Sequence, residues 1–371
     1  MKLTIERNAL LRSLGHVQSV VERRNTIPIL SNVLLEAEGA ELALTATDLD
    51  LSIVDHSTCT VTQAGATTVS AHTLFDIVRK LPDGADIALT VGEGDRLILQ
   101  SGRSRFQLAC LPKDDFPAMS EGELPHRFAL NAAAVKRLID KTRFAISTEE
   151  TRYYLNGIFL HVADGADMPV LRAVATDGHR LAQVEMELPD GAAGMPGIII
   201  PRKAVGEIRK LIDEVDGGVD IALSDTKIRF SFNGAVLTSK LIDGTFPDYT
   251  RVIPRSNDKD LEMDCRLFAD AVDRVSTISS DKSRSVKLSL AEDNLTLSVT
   301  SPENGTATEE LAASYAADAL EIGFNSRYLL DILGQVDGET VLAKLASADA
   351  PTVLQDKADA SALYVLMPMR V

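Results

Sequence analysis

The chain has 371 residues, too many for one ordinary domain, and its hydrophobic fraction of 45% suffices for several cores, which excludes wholesale disorder. Its three cysteines lie far apart, which excludes a disulfide framework and a paired-cysteine metal site. The net charge of −16 argues against a nucleic-acid partner only if the charge is evenly distributed. No segment reaches the ~20 apolar residues that cross a bilayer, and the first residues hold no apolar run of signal-peptide length, so we expect a cytoplasmic protein.

A short strand followed by an amphipathic helix occurs three times along the chain. The strands are LTI at 3–5, FAL at 128–130 and LEM at 261–263. The apolar positions that follow have helical spacing, which predicts one buried stripe per helix. Asn131 and Asp264 stand where an N-cap belongs. The predicted stripes are Leu10, Leu14 and Val17, then Val135, Ile139 and Thr142, then Phe268, Val272 and Val275.

A second helix also recurs, over 69–81, 200–212 and 324–336, and alternating strand segments lie between the helices. Thr47-Asp48 and Thr176-Asp177 fall at matching places, and Phe116-Pro117 matches Phe246-Pro247. This order predicts an α+β fold of three repeated modules, each with two helices packed on antiparallel sheets. The predicted modules are 1–125, 126–255 and 256–371.

Basic residues gather on the polar faces of the helices, whereas acidic residues are scattered through turns and strands. A single helix of this kind is usually just solvated, but recurrence on matching faces favours one positive surface on an acidic body. No helix-turn-helix, zinc-finger or RNA-binding strand motif is present, so any DNA contact should be sequence-independent and salt-sensitive. The residues expected to contribute are Lys136, Arg137, Lys141, Arg202 and Lys203.

Six motifs, in order along the whole chain, are similar to those of the bacterial DNA polymerase III beta subunit, the beta sliding clamp. They are TIPILSN (26–32), TRYYLNGIFL (151–160), VATDGHRLA (174–182), IPRK (200–203), TSKLIDGTFPDYTRVIP (238–254) and YVLMPMRV (364–371). The resemblance implies a head-to-tail homodimer, a six-module ring that encircles duplex DNA and confers processivity. It implies a non-catalytic subunit of the polymerase complex, with no cofactor, no metal and no catalytic residues.

The resemblance also implies DNA contacts at Arg24, Arg152, Tyr153 and Tyr154. The two tyrosines would stack on single-stranded bases, or else they are packing residues in a strand. Glu149 and Glu150 depart from the family pattern, which puts phosphate contact by that loop in question.

A partner-binding pocket is implied for a short linear motif rich in Gln, Leu and Phe. Expected partners are the polymerase III catalytic subunit, the clamp loader complex, other polymerases, ligase and mismatch-repair proteins. The matched pocket residues are Leu155, Thr176, Gly178, His179, Arg180, Leu181, Pro247, Arg251, Val252, Val365, Leu366, Met367, Pro368, Met369 and Arg370.

An open array of sheets leaves edge strands, and closing it on a second copy removes them. In the predicted edge strand RFQLACL, Phe106 and Leu108 share a face by the period of two. Ile278 is the family-matched counterpart. Charged pairing across the joint is expected between Arg103 and Arg105 on one side and Glu303 and Glu309 on the other.

Two other readings compete with the clamp. Asp177 and His179 share a strand face and resemble part of a hydrolytic site, but no motif for a nucleophile, a zinc protease or a phosphate-binding loop accompanies them. A peptide-binding scaffold that never touches DNA would keep the pocket and lose the basic helix faces.

Overall fold

The computed structural model describes residues 1–92, 94, 96–120, 122–279 and 284–370. These residues contain six α-helices, two in each third of the chain. They are Arg7–Gln18 (α1), Ala71–Lys80 (α2), Ala132–Asp140 (α3), Arg202–Ile212 (α4), Cys265–Ser276 (α5) and Ser326–Leu333 (α6).

The strands between the helices pair antiparallel throughout the described residues, so the predicted α+β class is confirmed. The first third contains Lys2–Glu6 (β1), Asn32–Glu38 (β2), Glu41–Thr47 (β3), Leu51–Thr58 (β4), Thr60–Gln63 (β5), Gly65–Ser70 (β6), Asp86–Gly92 (β7), Arg96–Ser101 (β8) and Ser104–Leu111 (β9). The middle third contains His126–Asn131 (β10), Gly157–Asp164 (β11), Pro169–Thr176 (β12), Arg180–Glu187 (β13), Ile198–Pro201 (β14), Gly218–Leu223 (β15), Lys227–Ser231 (β16) and Ala235–Lys240 (β17). The last third contains Lys259–Asp264 (β18), Ser285–Ala291 (β19), Asn294–Ser301 (β20), Gly305–Ala312 (β21), Leu320–Asn325 (β22), Thr340–Leu345 (β23), Thr352–Asp356 (β24) and Asp359–Leu366 (β25).

At each of the two predicted N-caps a strand ends and a helix begins with the next residue. The Oδ1 atom of Asn131 accepts a hydrogen bond from Ala134 N at 2.6 Å, and that of Asp264 accepts one from Leu267 N at 2.8 Å. Each cap satisfies a backbone N–H that has no partner inside its helix, which confirms both predictions. The predicted stripes of α1 and α5 are buried, and Thr142, which lies beyond the end of α3, is buried as well.

By its contacts the chain divides into two compact units. The first unit comprises residues 1–136, 189–196 and 203–241, and contains a 13-stranded sheet in which β17 pairs with β4. The second comprises residues 137–188, 197–202 and 242–371, and contains an eight-stranded sheet in which β13 pairs with β25, and a four-stranded sheet. Because the middle third contributes strands to both units, the units do not follow the expected module boundaries, which remain predictions.

Two loops with matching sequence fold in the same way, one in each unit. In 47–51 and in 176–180, the threonine hydroxyl donates to the carbonyl four residues on, at 2.9 and 2.7 Å. In both, the aspartate Oδ1 accepts the backbone N–H groups two and three residues on. The third residue of each loop has a left-handed backbone conformation, with φ of 82° at Leu49 and 88° at Gly178. The predicted match between Thr47-Asp48 and Thr176-Asp177 is therefore confirmed at the level of individual hydrogen bonds.

A histidine between two carboxylates links α1 to its neighbours inside the first unit. The Nδ1 atom of His16 contacts the carboxylate of Asp55, and its Nε2 lies 3.1 Å from Glu214 Oε2. Burial by itself lowers the pKa of His16, but hydrogen bonding and charge from Asp55 and then from Glu214 outweigh it, so the net pKa is raised. The imidazolium form is therefore favoured by folding.

We expect this cluster to make stability depend on pH. A group whose pKa is raised by folding contributes fully below its unfolded pKa of about 6.5 and loses that contribution as pH rises through the raised folded value. The difference in unfolding free energy between the unsubstituted chain and His16→Gln should therefore shrink as the pH rises from about 6 to about 9, measured by urea unfolding. Parallel pH profiles for the two proteins would contradict this expectation.

Candidate functional site

A pocket of about 290 Å³ lies in the second unit, where β13 pairs with β25. Leu181 of β13 is directly opposite Val365 of β25, and both form its floor with Leu155. Past the end of β25, Met367 continues the pairing by donating its N–H to the carbonyl of His179 at 3.0 Å. The side chains of Met367 and Val252 remain 40% and 49% exposed at the mouth. A buried aliphatic floor beneath an exposed flexible rim is the chemistry of a site for apolar peptide side chains.

The aromatic-proline corner forms one wall of this pocket. Phe246 stacks on Phe159 with ring centroids 4.8 Å apart, which fixes the chain just before Pro247. Tyr249 is buried, and its hydroxyl is 2.9 Å from His161 Nε2 and accepts a bond from Arg172 at 3.2 Å. Burial first, and then the charge of Arg172, lowers the pKa of His161, so the ring is neutral beside the tyrosine.

The loop 176–180 meets Arg152 at the edge of the pocket. A Cβ atom on Gly178 would lie 2.5 Å from the guanidinium NH1 of Arg152, and the φ of 88° also disfavours any side chain there. Arg152 in turn forms an ion pair with Glu149 at 2.6 Å, and the hydrogen bond from Arg152 holds the pKa of the Glu149 carboxyl below its usual range. A side chain at position 178 would therefore displace the guanidinium, the flexible end of the Arg152 side chain, from its place across the loop.

Nine of the expected pocket residues line the cavity, together with Arg152 and Tyr154. Sequence reasoning missed Asp248 and Tyr249, although they directly follow the recognised Phe246-Pro247 corner. The other six expected residues do not line it: Leu366 is fully buried on the opposite face of its strand, Arg251 is paired with Asp248 at 2.8 Å, and the ring of His179 stacks on Tyr328. The nine that line it are Leu155, Thr176, Gly178, Arg180, Leu181, Pro247, Val252, Val365 and Met367, and the remaining three that do not are Pro368, Met369 and Arg370.

The expected basic surface is largely neutralised by ion pairs within the chain. Lys136 pairs with Asp213 at 2.8 Å, Arg137 with Asp359 at 2.5 Å, and Lys203 with Asp48 at 2.5 Å. Arg24 and Arg202 are exposed and have no acidic partner within the part of the chain that the structure describes. Of the nine residues expected to touch DNA, these two present the most accessible positive charge.

The expectation that Lys141 lies on an open helix face is wrong. Its side chain is 9% exposed, its ammonium contacts the carbonyl of Gln335, and it pairs with Asp337 at 2.8 Å. Lys141 follows the last residue of α3 and points into the protein, where a charge needs these partners to offset desolvation. Lys141 is therefore a structural cation.

The two neighbouring tyrosines lie on a short 3-10 helix, Glu150–Leu155, so the alternative that they pack in a strand is wrong. Tyr153 is 54% exposed, and its ring meets Tyr154 edge-on with centroids 5.8 Å apart. An exposed ring face of this kind is available to a planar partner.

Of the described strands that leave one edge unpaired over most of their length, β9 and β21 are the longest, with 8 residues each. In the first unit, β9 pairs with β8 along its length but with β6 only at Cys110 and Leu111. Phe106 and Leu108 alternate as half-buried residues on one face, as predicted from the period of two. In the second unit, β21 pairs only with β20 among the described strands, and its half-buried face contains Ala307, Glu309 and Leu311.

Two expected joint residues are already engaged within their own chain. Glu309 is paired with Arg274 at 2.5 Å, which holds the pKa of Glu309 below its usual range. The carbonyl of half-buried Ile278 accepts a hydrogen bond from Asn304 at 3.1 Å. Pairing of Glu309 with Arg103 or Arg105 would therefore require exchange of the Arg274 pair, whereas Glu303 is exposed.

Nothing in the described residues assembles a hydrolytic centre from Asp177 and His179. The carboxylate of Asp177 accepts the backbone N–H groups of His179 and Arg180 and binds the Arg180 guanidinium at 3.1 Å, so it does not orient the histidine ring. The described part of the chain also contains no His, Cys, Asp or Glu group arranged to hold a metal ion. No described helix is both long and apolar enough to span a membrane.

Family models match nearly the whole chain in three consecutive segments. The N-terminal, central and C-terminal domains of the DNA polymerase III beta subunit match residues 1–120, 129–248 and 250–370. The chain belongs to the DNA polymerase III beta subunit family. It has three clamp domains and is a beta sliding clamp, a non-catalytic processivity factor of DNA polymerase III whose partners are DNA and a polymerase.

Relatives in this family match over their full lengths. The chain is 56% identical to the beta sliding clamp of Caulobacter vibrioides and 40% identical to that of Escherichia coli, in each case with 100% of both chains covered. Among solved structures, it superposes with a TM-score of 0.98 on the Bartonella birtlesii sliding clamp bound to griselimycin, at 56% identity and with 100% of both chains covered. It superposes with the same TM-score on the Caulobacter crescentus beta sliding clamp with PEG bound to a putative beta-motif tethering region, at 56% identity and with 100% of this chain and 99% of that chain covered.

The two lysines near α3 provide a direct test of structural versus surface charge. Lys141→Ala should lower the unfolding free energy by about 1–3 kcal/mol, because it removes a buried charge-assisted hydrogen bond and the buried stem. The matched control Lys136→Ala, which breaks a half-exposed pair, should change it by less than about 1 kcal/mol. Urea unfolding measures both, and equal effects would contradict the burial of Lys141.

Proposed function

We propose that two copies of this chain form a closed head-to-tail ring that encircles duplex DNA and tethers the replicative polymerase to it. The observation that carries the ring is that the two longest described strands with an unpaired edge, β9 and β21, each have an alternating half-buried face. Joining β9 of one protomer to β21 of its partner would satisfy both edges, and repeating the contact closes the dimer. Phe106 and Leu108, facing Ala307, Leu311 and the nearby Ile278, would supply the apolar centre of the joint.

Topological linkage explains the modest positive charge. A ring held on DNA by closure needs only weak phosphate contacts, and weak contacts leave sliding unhindered. Arg24 and Arg202 would provide such contacts, and exposed Tyr153 would stack on a single-stranded base beyond the duplex. Lys136, Arg137, Arg152, Lys203 and Tyr154 would act in secondary roles, since the four cations are already paired and the Tyr154 ring is partly covered.

Retention on circular DNA tests the ring. After loading by a clamp loader with ATP, the protein should stay on closed circular DNA and leave once the circle is cut. Phe106→Ala with Leu108→Ala should abolish retention and reduce the sedimenting mass to that of a monomer. The control Met168→Ala with Leu267→Ala, which removes exposed apolar side chains outside both edges, should behave like the unsubstituted chain. Equal retention on circular and linear DNA would overturn the ring.

The pocket between β13 and β25 would receive the short linear motifs of partners. Its apolar floor suits Leu and Phe side chains, and the loop 176–180 offers polar groups at the edge. The griselimycin and PEG complexes of the two relatives support a ligand-accepting surface in this family. The polymerase III catalytic subunit, the clamp loader complex, other polymerases, ligase and mismatch-repair proteins would compete for it in the cytoplasm.

Gly178→Ala tests the pocket through the crossing of Arg152. The added Cβ displaces the guanidinium, so affinity for a Gln-Leu-Phe peptide should fall by about tenfold or more, roughly 1.4 kcal/mol. The control Leu49→Ala alters the matching loop of the first unit, at almost the same φ, and should leave peptide affinity unchanged. Calorimetric titration measures both variants, and an unchanged affinity for Gly178→Ala would exclude this loop from the binding site.

A further inference from the structure

A second cavity, of about 520 Å³, lies in the second unit and has a different character from the peptide pocket. Five arginines and three acidic residues line it, although the net charge of the chain is −16. The arginines are Arg143, Arg180, Arg202, Arg284 and Arg327. Such a concentration of guanidinium groups in a concave site favours a bound anion.

The acidic residues of the cavity are all held in ion pairs. Glu149 pairs with Arg152 at 2.6 Å, whereas Asp177 and Asp331 share the single guanidinium of Arg180, at 3.1 and 2.5 Å. Of the other arginines, Arg143 pairs with Asp140 at 3.3 Å. Within the described residues, exposed Arg202 and Arg327 have no acidic partner, so their charges remain uncompensated by the chain.

Arg180 forms a fixed wall of the cavity. Its guanidinium lies 4.2 Å from the ring centroid of Tyr328 and 5.1 Å from that of Phe144, and it donates to the Phe144 carbonyl at 2.6 Å. With two carboxylates also bound, this side chain is positioned before any ligand arrives. Preorganisation of this kind reduces the entropy lost on binding.

We propose that this cavity binds a phosphate group carrying two negative charges, the terminal phosphate of a nucleotide or of a nucleic-acid strand. A phosphomonoester dianion matches the two uncompensated guanidinium groups of Arg202 and Arg327, and arginine forks match phosphate oxygens with paired hydrogen bonds. The volume exceeds that of a bare phosphate and leaves room for the attached sugar. Arg202 and Arg327 hold the phosphate, and the polar rim, including Thr148 and Asn325, faces the sugar.

This site is separate from the peptide pocket, and of the residues proposed above to contact encircled DNA it contains only Arg202. Arg202 and Arg327 do not line the peptide pocket, whereas Arg180 lies on the walls of both cavities. An internal phosphodiester carries one charge, so a site matched to a dianion discriminates strand ends and free nucleotides from continuous strand.

The test is calorimetric titration of the full chain, without DNA or clamp loader, so its outcome is independent of ring formation. AMP should bind, and adenosine should bind at least tenfold more weakly. A short single strand with a 5′-phosphate is compared with the same strand bearing a 5′-hydroxyl. Binding of AMP alone assigns the site to free nucleotides, whereas preference for the phosphorylated strand assigns it to strand ends.

Arg202→Ala with Arg327→Ala should weaken AMP binding at least tenfold, and Arg327→Lys, which keeps the charge but loses the fork, should weaken it less. The control Arg255→Ala with Arg266→Ala removes the same charge from exposed positions outside the cavity and should keep AMP affinity. Thermal unfolding confirms that each variant is folded. The proposal is overturned if AMP and adenosine bind alike, or if the cavity variant and the control lose affinity equally.

Discussion

The backbone pairing of strands from neighbouring thirds of the chain is the constraint on which the rest of the structure depends. In one unit β17 pairs with β4, and in the other β25 pairs with β13. Because a strand edge has unsatisfied donors and acceptors, each such pairing turns two separate sheets into one continuous sheet. The peptide pocket exists only because the second pairing sets Leu181 beside Val365 and carries Met367 past the end of the strand.

Local features were predictable from the sequence, because the residues that determine them lie within a few positions of one another. The caps at Asn131 and Asp264, the buried stripes and the alternation of Phe106 and Leu108 are all of this kind. The period of two, continued one residue past the end of β25, also places Val365 and Met367 on one face and Leu366 on the other. Applied to the motif YVLMPMRV, this alternation would have left Leu366 out of the predicted pocket.

Charge neutralisation was not predictable, because the partners lie far along the chain. Lys136 meets an aspartate 77 residues away, Lys141 one 196 residues away and Arg137 one 222 residues away. Nothing near a helix indicates which of its cations these distant carboxylates will reach. Counting basic residues on a helical face therefore overstates the charge that a DNA strand would meet, and only the folded chain distinguishes Lys141 from Arg202.

The left-handed residue shared by the two matching loops has different surroundings in each unit. Leu49 accepts the strain of a side chain at this φ, which costs about 1 kcal/mol, whereas a side chain at position 178 would also displace the Arg152 guanidinium. The two loops have the same backbone conformation, but they differ in their tolerance of substitution at this position. A chain that lost the glycine would therefore keep its fold while giving up the arrangement around Arg152.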